Sequence, residues 1–468
     1  MQSLTRRYPR SPFAGIPGSA IRWTFAIVVF CAIGAGAAAI GELRLFAILT
    51  VVAALAVSVG FLVFARFEWF VLVILAIRSS LDAFKFGGPA GLDPASLLSV
   101  VFLATGAVWL LSIPRSRRAP ASPLVLPFTA LAVAGALSIV TALDPGDAIR
   151  DVVRLSTLAM IALVLNQLLD SEKRLKHLLC AVFVSAIPPL LMAAVQLASG
   201  SGLHVSSIFG RVQGTFTHPN PFAMYLTLLI ILGLAIVPDL SHRLKMLLVP
   251  LLGASGFFLL FTYTRSAWVA TVAGLLVVGM CNGRKLLGVV GLLVVVVAFT
   301  VPGVAARFAD LEETSSASGA PTNSLVWRFG YWQQALELSN SPLIGEGLST
   351  VRASTDVEKE PHNDFIRVYV EMGIVGMAAY LWLLFSFAGV ARRGLREVTS
   401  GLDRGVVAGF TGAVVAFLLL SLVSNVITQL VILWYFTAIA SAAVAAPRLV
   451  AASREVEPAV GATALVRS

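Results

Sequence analysis

Apolar runs of roughly 20 residues recur along the chain, each long enough for a helix to cross a bilayer. They fall near 22–40, 45–64, 67–80, 95–113, 124–142, 149–169, 177–198, 220–237, 246–263, 266–281, 285–302, 363–390, 405–424 and 428–446. Only 12% of the residues are charged, about half the share in a soluble domain. Together these features predict an all-α polytopic membrane protein with about 12–14 transmembrane helices. The run 67–80 is short for a bilayer, and the count falls to about 12 if early runs are re-entrant or merged.

Loop charge orients the spans. With the N-terminus inside, Arg66, Arg115, Arg117, Arg118, Lys173, Arg174, Lys176, Arg243, Lys245, Arg392, Arg393, Arg396 and Arg404 all fall on the cytoplasmic side. Asp82, Asp93, Asp144, Asp147, Asp310, Glu312 and Glu313 fall outside. This bias follows the positive-inside rule and predicts an even number of spans with both termini cytoplasmic. The expected organisation is a cytoplasmic tail over 1–21, a transmembrane bundle over 22–302 and an extracytoplasmic loop over 303–361. C-terminal transmembrane helices over 362–446 and a cytoplasmic tail over 447–468 follow. The net charge of +10 is scattered among short loops, so no nucleic-acid partner is expected. Cys31, Cys180 and Cys281 lie in or at the ends of apolar runs, and their spacing predicts neither disulfide nor metal site.

This topology places four polar stretches outside: residues 210–220, the turn 262–266, the loop 302–361 and the turn holding Asn425 and Gln429. Within the long loop, Trp327, Tyr331, Trp332, Ala335 and Leu338 recur at helical spacing. They predict an amphipathic helix on the membrane surface with its aromatics at headgroup depth. Pro342 ends it, and Gly345 and Gly347 supply a tight turn.

Each polar candidate has a bland reading beside the chemical one. Arg211 is either a headgroup contact or an anion ligand. Arg265 sits in a turn so short that its charge lies at the membrane boundary, where it marks a functional site or snorkels. His362 is a base or an interfacial histidine, and Asn363 is a plausible cap of the helix that follows. His218, beside Asn220, binds or braces its loop, with bracing the favoured reading. Arg328 assists with anions or is solvated, and the role of Glu371 is open. As a set they make chemical sense. Arginine forks match phosphate oxygens and keep their charge, and a neutral histidine can take a proton from a sugar hydroxyl. The reading that follows is chemistry on a lipid-linked, phosphate-bearing substrate at the outer surface. No carboxylate pair in the first outer loops calls for a metal ion.

Three stretches, Gly214-Thr215-Phe216-Thr217-His218-Pro219-Asn220, Thr264-Arg265-Ser266, and Arg328 through Trp332, Pro342, Gly345 and Gly347 to His362-Asn363 with Glu371, Gly373 and Gly376, resemble the O-antigen ligase and polymerase superfamily. The likeness covers about residues 200–390. It implies a GT-C-like helical fold and a metal-independent, inverting glycosyltransferase with no cofactor. The implied donor is a glycan on undecaprenyl diphosphate, a polyprenyl carrier in the plasma (inner) membrane. The implied acceptor is a glycan or glycolipid, such as lipopolysaccharide core, at the periplasmic face. By the same likeness Arg211 and Arg265 bind the diphosphate, and His362 activates the acceptor hydroxyl. Ligase and polymerase share the pattern. Two alternatives stand beside it. A transporter or flippase of lipid-linked glycans would line a midplane cavity with polar groups such as Arg154, Asn166 and Gln196. A cell-wall glycan polymerase would draw a base from Asp310, Glu312 or Glu313.

Overall fold

The computed structural model describes residues 60, 65–84, 94–206, 209–283, 287, 288, 291, 324–354 and 361–465. The expected run 22–40, all but residue 60 of 45–64, all but residues 287, 288 and 291 of 285–302, and the acidic residues Asp310, Glu312 and Glu313 lie outside them.

The described elements are α1 (Phe67–Arg78), α2 (Pro94–Ser112), α3 (Val125–Leu137), α4 (Pro145–Leu168), α5 (Glu172–Val184) and α6 (Ile187–Ser199). A short hairpin, β1 (His204–Ser206) and β2 (Phe209–Arg211), follows. Then come α7 (Pro219–Ile236), α8 (His242–Phe261), α9 (Arg265–Asn282), α10 (Ser324–Glu337), α11 (Thr350–Ser354), α12 (Asp364–Glu397), α13 (Gly401–Val423) and α14 (Leu430–Leu465). Among the described residues, seven stretches are long and apolar enough to cross a membrane: Glu172–Ser199, Pro219–Asp239, His242–Phe261, Arg265–Asn282, Asp364–Glu397, Gly401–Val423 and Leu430–Ser453. The protein is an all-α polytopic membrane protein. The small hairpin at Arg211 was not expected from the sequence.

Contacts divide the chain into a small unit, Met1–Ile74 with Ala104–Ala119, and a large one, Leu75–Leu103 with Pro120–Ser468. In the small unit the Phe67 ring stacks on Trp109 at 4.5 Å, and Arg118 donates to the carbonyls of Ile113 and Leu110. All candidate residues belong to the large unit.

At the centre of the large unit is α7, buried along almost its whole length. An all-round apolar helix reads as a core span. It packs on α9 and α13, where small residues allow close approach. A Cβ on Gly412 would lie 2.5 Å from the Gly274 carbonyl oxygen, so the α9–α13 crossing depends on both glycines. Thr227 and Thr271 share a 2.8 Å hydrogen bond between α7 and α9. Further out, Phe387 packs against Phe436 at 4.9 Å and Phe417 at 5.9 Å, joining α12, α13 and α14.

The helix that follows the candidate histidine is opened inside its span. Gly373 of α12 has φ +63° and ψ −161°, a conformation glycine adopts without a Cβ penalty. An unbroken helix would bond Ile374 N–H to the Val370 carbonyl and Val375 N–H to that of Glu371. Instead Ile374 donates to Pro342 and Val375 to Leu343, at 2.9 and 3.2 Å. The freed carbonyls of Val370 and Glu371 accept from Glu346 and Gly347, at 2.8 and 3.0 Å. The ladder is thus exchanged for one between α12 and the turn 342–347, and each of these four α12 groups keeps a partner. Gly345 (φ +78°) and Gly347 (φ +94°) make that turn, and a Cβ on Gly345 would collide with the Glu371 backbone.

The amphipathic helix predicted in the long loop exists as α10, but its apolar face meets protein. Tyr331 and Ala335 are buried with Val351 and Val370, and Leu338, Ile366 and Tyr369 pack against them. Periodicity identifies an apolar face; it does not distinguish lipid from a neighbouring helix. Phe329, on another face, is exposed.

Candidate active site

The site is assembled where α7, α9 and α12 begin. Before α7, the chain turns at Gly214 (φ +59°). Gln196 of α6 holds this turn with three hydrogen bonds, accepting from the backbone N–H groups of Gln213 and Gly214 and donating to the Gly214 carbonyl. Only the fold reveals that role. His218 then caps α7, its Nδ1 accepting from Asn220 N–H at 3.1 Å, which is the bracing role favoured from sequence.

Arg211 ends β2 and is only 7% exposed. Its Nε donates to the Thr262 carbonyl at 2.7 Å, and its Nη2 donates to Asn220 Oδ1 at 2.7 Å and Thr264 Oγ1 at 2.9 Å. One guanidinium therefore ties β2, the start of α7 and the turn before α9 together. Arg265, partly exposed, is the next residue after Thr264 and opens α9. The hairpin register sets His204 opposite Arg211, and the His204 ring meets that of His218 edge-on at 4.5 Å. No sequence signal marked His204, because three-residue strands carry too little pattern.

Electrostatics link this end of α7 and α9 to α12. The His218 pKa is depressed to about 4, first by burial and then by the neighbouring His204, Arg211 and His362. His204 is also lowered, by burial and then by Arg211. His362, 144 positions from His218 in sequence, is thus close enough to oppose its protonation. Arg328 of α10 is pulled below the usual arginine range by burial and by the Arg265 charge beside it. Trp332 of α10 donates from Nε1 to the Pro361 carbonyl at 2.6 Å, bringing this helix to the residue before His362.

His362 itself has φ +52°, uncommon for a residue with a Cβ. The helix starts at once: Asn363 caps α12, its side chain accepting from Phe365 and Ile366 N–H at 2.9 and 3.2 Å. The fully buried Asp364 accepts from Ile427 N–H at 3.2 Å and from the Tyr380 hydroxyl at 3.3 Å. These bonds pin the turn between α13 and α14 to the start of α12. From that turn, Asn425 Nδ2 contacts His362 Nδ1 at 3.3 Å.

Glu371 pairs within its own helix. It accepts from Arg367 Nε at 2.9 Å, both side chains being almost wholly buried. The pair lines a small cavity with Asp151, Arg154 and Thr428. Each polar residue a transporter would use has a protein partner. Arg154 bonds Asp151 and Ser96, Asn166 donates to the Pro120 carbonyl, and Gln196 holds the Gly214 turn.

Two arginines and a histidine from distant segments thus share one end of the bundle, along a stretch that can be compared with known families. Residues 247–381 match the O-antigen ligase family. The match supports the O-antigen ligase and polymerase superfamily, and with it glycan transfer as the general activity. No curated protein matches the chain. The matched segment contains Arg265, Arg328, His362, Asn363 and Glu371. Arg211, His218, Asn220 and Asn425 lie beyond its ends and reach it through the contacts described above.

Proposed function

We propose that the protein transfers a glycan from a polyprenyl-diphosphate carrier to an acceptor glycan or glycolipid, at the extracytoplasmic face of the plasma membrane. The observation that carries this reading is the gathering of Arg211, Arg265 and His362 at the joined starts of α7, α9 and α12, with Arg328 of α10 beside Arg265. A diphosphate concentrates negative charge, and positive groups fixed in a poorly hydrated site stabilise the charge that grows as it leaves. Arg265 and Arg328 are close enough to oppose each other's charge; an anion bound between them relieves that repulsion. Arg211 has Nε and Nη2 committed to Thr262, Asn220 and Thr264, so it contributes a fixed charge and holds Thr264 next to Arg265.

In the reaction, the acceptor hydroxyl oxygen attacks the anomeric carbon as the carbon–oxygen bond to the phosphate breaks. His362 takes the hydroxyl proton, and the electron pair of the broken bond stays on the diphosphate. Attack opposite the leaving group inverts the anomeric centre. The charge on the leaving group is balanced by arginine in this scheme, with no metal ion.

The test is transfer from a lipid-linked donor in membranes. His362→Ala is expected to lower the rate by about a hundredfold or more, the usual worth of a positioned base, with the protein still present in the membrane. Native rates in that variant would remove the base assignment. Glycan profiling of a deletion strain then separates the two family activities. Accumulated lipid-linked polymer indicates a ligase and accumulated single repeat units a polymerase; neither accumulating argues against both.

A further inference from the structure

We infer that the cavity between α4, α12, α14 and the segment before α3 binds the headgroup of an anionic glycerophospholipid. Arg393 and Arg448 take its phosphate, and Asn166 accepts from a headgroup hydroxyl. The site is at the other end of α12 from His362 and is independent of glycan transfer.

The cavity has a volume of about 190 Å³, whereas one water needs only about 10–15 Å³. Val390, Ala443 and Val444 give it an apolar wall, and Arg393, Arg448 and Asn166 also line it. An apolar wall beside cationic groups matches a phospholipid at the depth of its glycerol backbone better than a free ion. Among the described residues that line it, none is acidic. Arg448 Nη2 donates to the Asn166 backbone carbonyl at 3.2 Å, which sets this guanidinium against Asn166. Arg393 Nε donates to Glu397 at 2.8 Å, an exposed pair. Such pairs contribute little, so a phosphate competes with Glu397 or takes the Nη groups of the fork.

Asn166 makes the site more than a charged rim. It is 3% exposed, and its Nδ2 donates to the Pro120 carbonyl at 2.7 Å. That bond fixes the amide orientation, since turning it would set two oxygens against each other. Oδ1 is then buried with no hydrogen-bond partner among the described residues. A buried amide oxygen without a donor costs free energy, and a ligand hydroxyl removes that cost. Arg393 and Arg448 lie in the last turns of the membrane-spanning stretches Asp364–Glu397 and Leu430–Ser453, at headgroup depth. The loop charges put this end in the cytoplasmic leaflet, where basic pockets between helices take anionic headgroups. An ethanolamine headgroup would bring its own cation beside two arginines. A glycerol headgroup brings a hydroxyl and keeps the negative charge, so charge selects the glycerol type.

Native mass spectrometry of the full chain in detergent, titrated with one lipid at a time, reads the affinities. Phosphatidylglycerol is expected to bind about tenfold tighter than phosphatidylcholine. It is expected to bind about three- to tenfold tighter than phosphatidylmethanol, which keeps the charge and lacks the headgroup hydroxyl. Arg393→Gln with Arg448→Gln should abolish the preference over phosphatidylcholine. Arg392→Gln with Arg396→Gln removes as much charge from the same helix end, outside the cavity lining, and should keep it. Equal affinity for phosphatidylglycerol and phosphatidylcholine, or equal loss in both double variants, overturns the inference. So does phosphatidylethanolamine or phosphatidylmethanol binding as tightly as phosphatidylglycerol. Displacement of the lipid by free glycerol phosphate would make a soluble phosphoester the occupant and overturn it as well. Should Arg448→Gln not fold, Arg393→Gln against Arg392→Gln decides, and the lipid comparison on wild type needs no variant.

Discussion

At the residue scale, His218 gives the sharpest prediction. Its folded pKa of about 4 lies well below the ordinary histidine value of 6.5. Between those values the unfolded chain binds a proton that the folded protein does not, so stability rises with pH through that window. The stability is fully present above 6.5 and is lost as pH falls toward 4. Melting midpoints of wild type should drop across that range, and His218→Asn, which removes the titrating ring, should flatten the drop. An equally steep fall in the variant would show that another group is responsible. Arg265 can be tested by charge-preserving substitution: Arg265→Lys keeps a positive charge but loses the planar fork. Transfer should fall by about a hundredfold, on the scale of losing one preorganised donor to a developing anion, and wild-type rates would remove the diphosphate-clamp role.

At the scale of elements, the exchange of hydrogen bonds around Gly373 is the device that docks the 342–347 turn onto α12. Gly373→Ala places a Cβ 2.4 Å from the Leu343 carbonyl and strains a left-handed backbone. The expected cost is about 1–3 kcal/mol or more, read as a lower melting midpoint, together with reduced transfer. Unchanged stability would mean that the helix can close without the loop. Trp332→Phe keeps most of the packing of α10 and loses the bond to Pro361, about 1 kcal/mol. The α10 pattern was legible in sequence because periodicity marks an apolar face. Its partner was not, because the face of α12 that receives it is separated from it by the loop.

For the whole molecule, the loop charges predict that the β1–β2 end of the bundle faces outward and the α12–α13 turn faces the cytoplasm. In a chain with Cys31, Cys180 and Cys281 replaced, a cysteine at exposed Ser201 should react with an impermeant reagent on intact cells. One at exposed Arg393 should react only after permeabilisation. The opposite pattern would put the arginine cluster on the cytosolic side, away from an extracytoplasmic donor. Undiminished turnover in EDTA is also expected, since arginine supplies the countercharge, and a strict divalent-ion requirement would call for another mechanism.

What the sequence determined alone was what depends on local chemistry. Apolar length fixed the helical membrane class, loop charge suggested orientation, a cap residue put Asn363 at a helix start, and a short turn put Arg265 at the membrane boundary. The motif order also carried the family likeness. Tertiary structure alone decided which of these groups meet: Arg211 held by Asn220 and Thr264, His218 opposed by His362, Glu371 drawn off to Arg367, and Asn425 set against the imidazole. Capping and burial involve a few neighbouring residues and leave a mark in the order of residues. A contact across tens to hundreds of positions depends on how helices cross, which glycines allow and kinks redirect, and no short stretch of sequence encodes it.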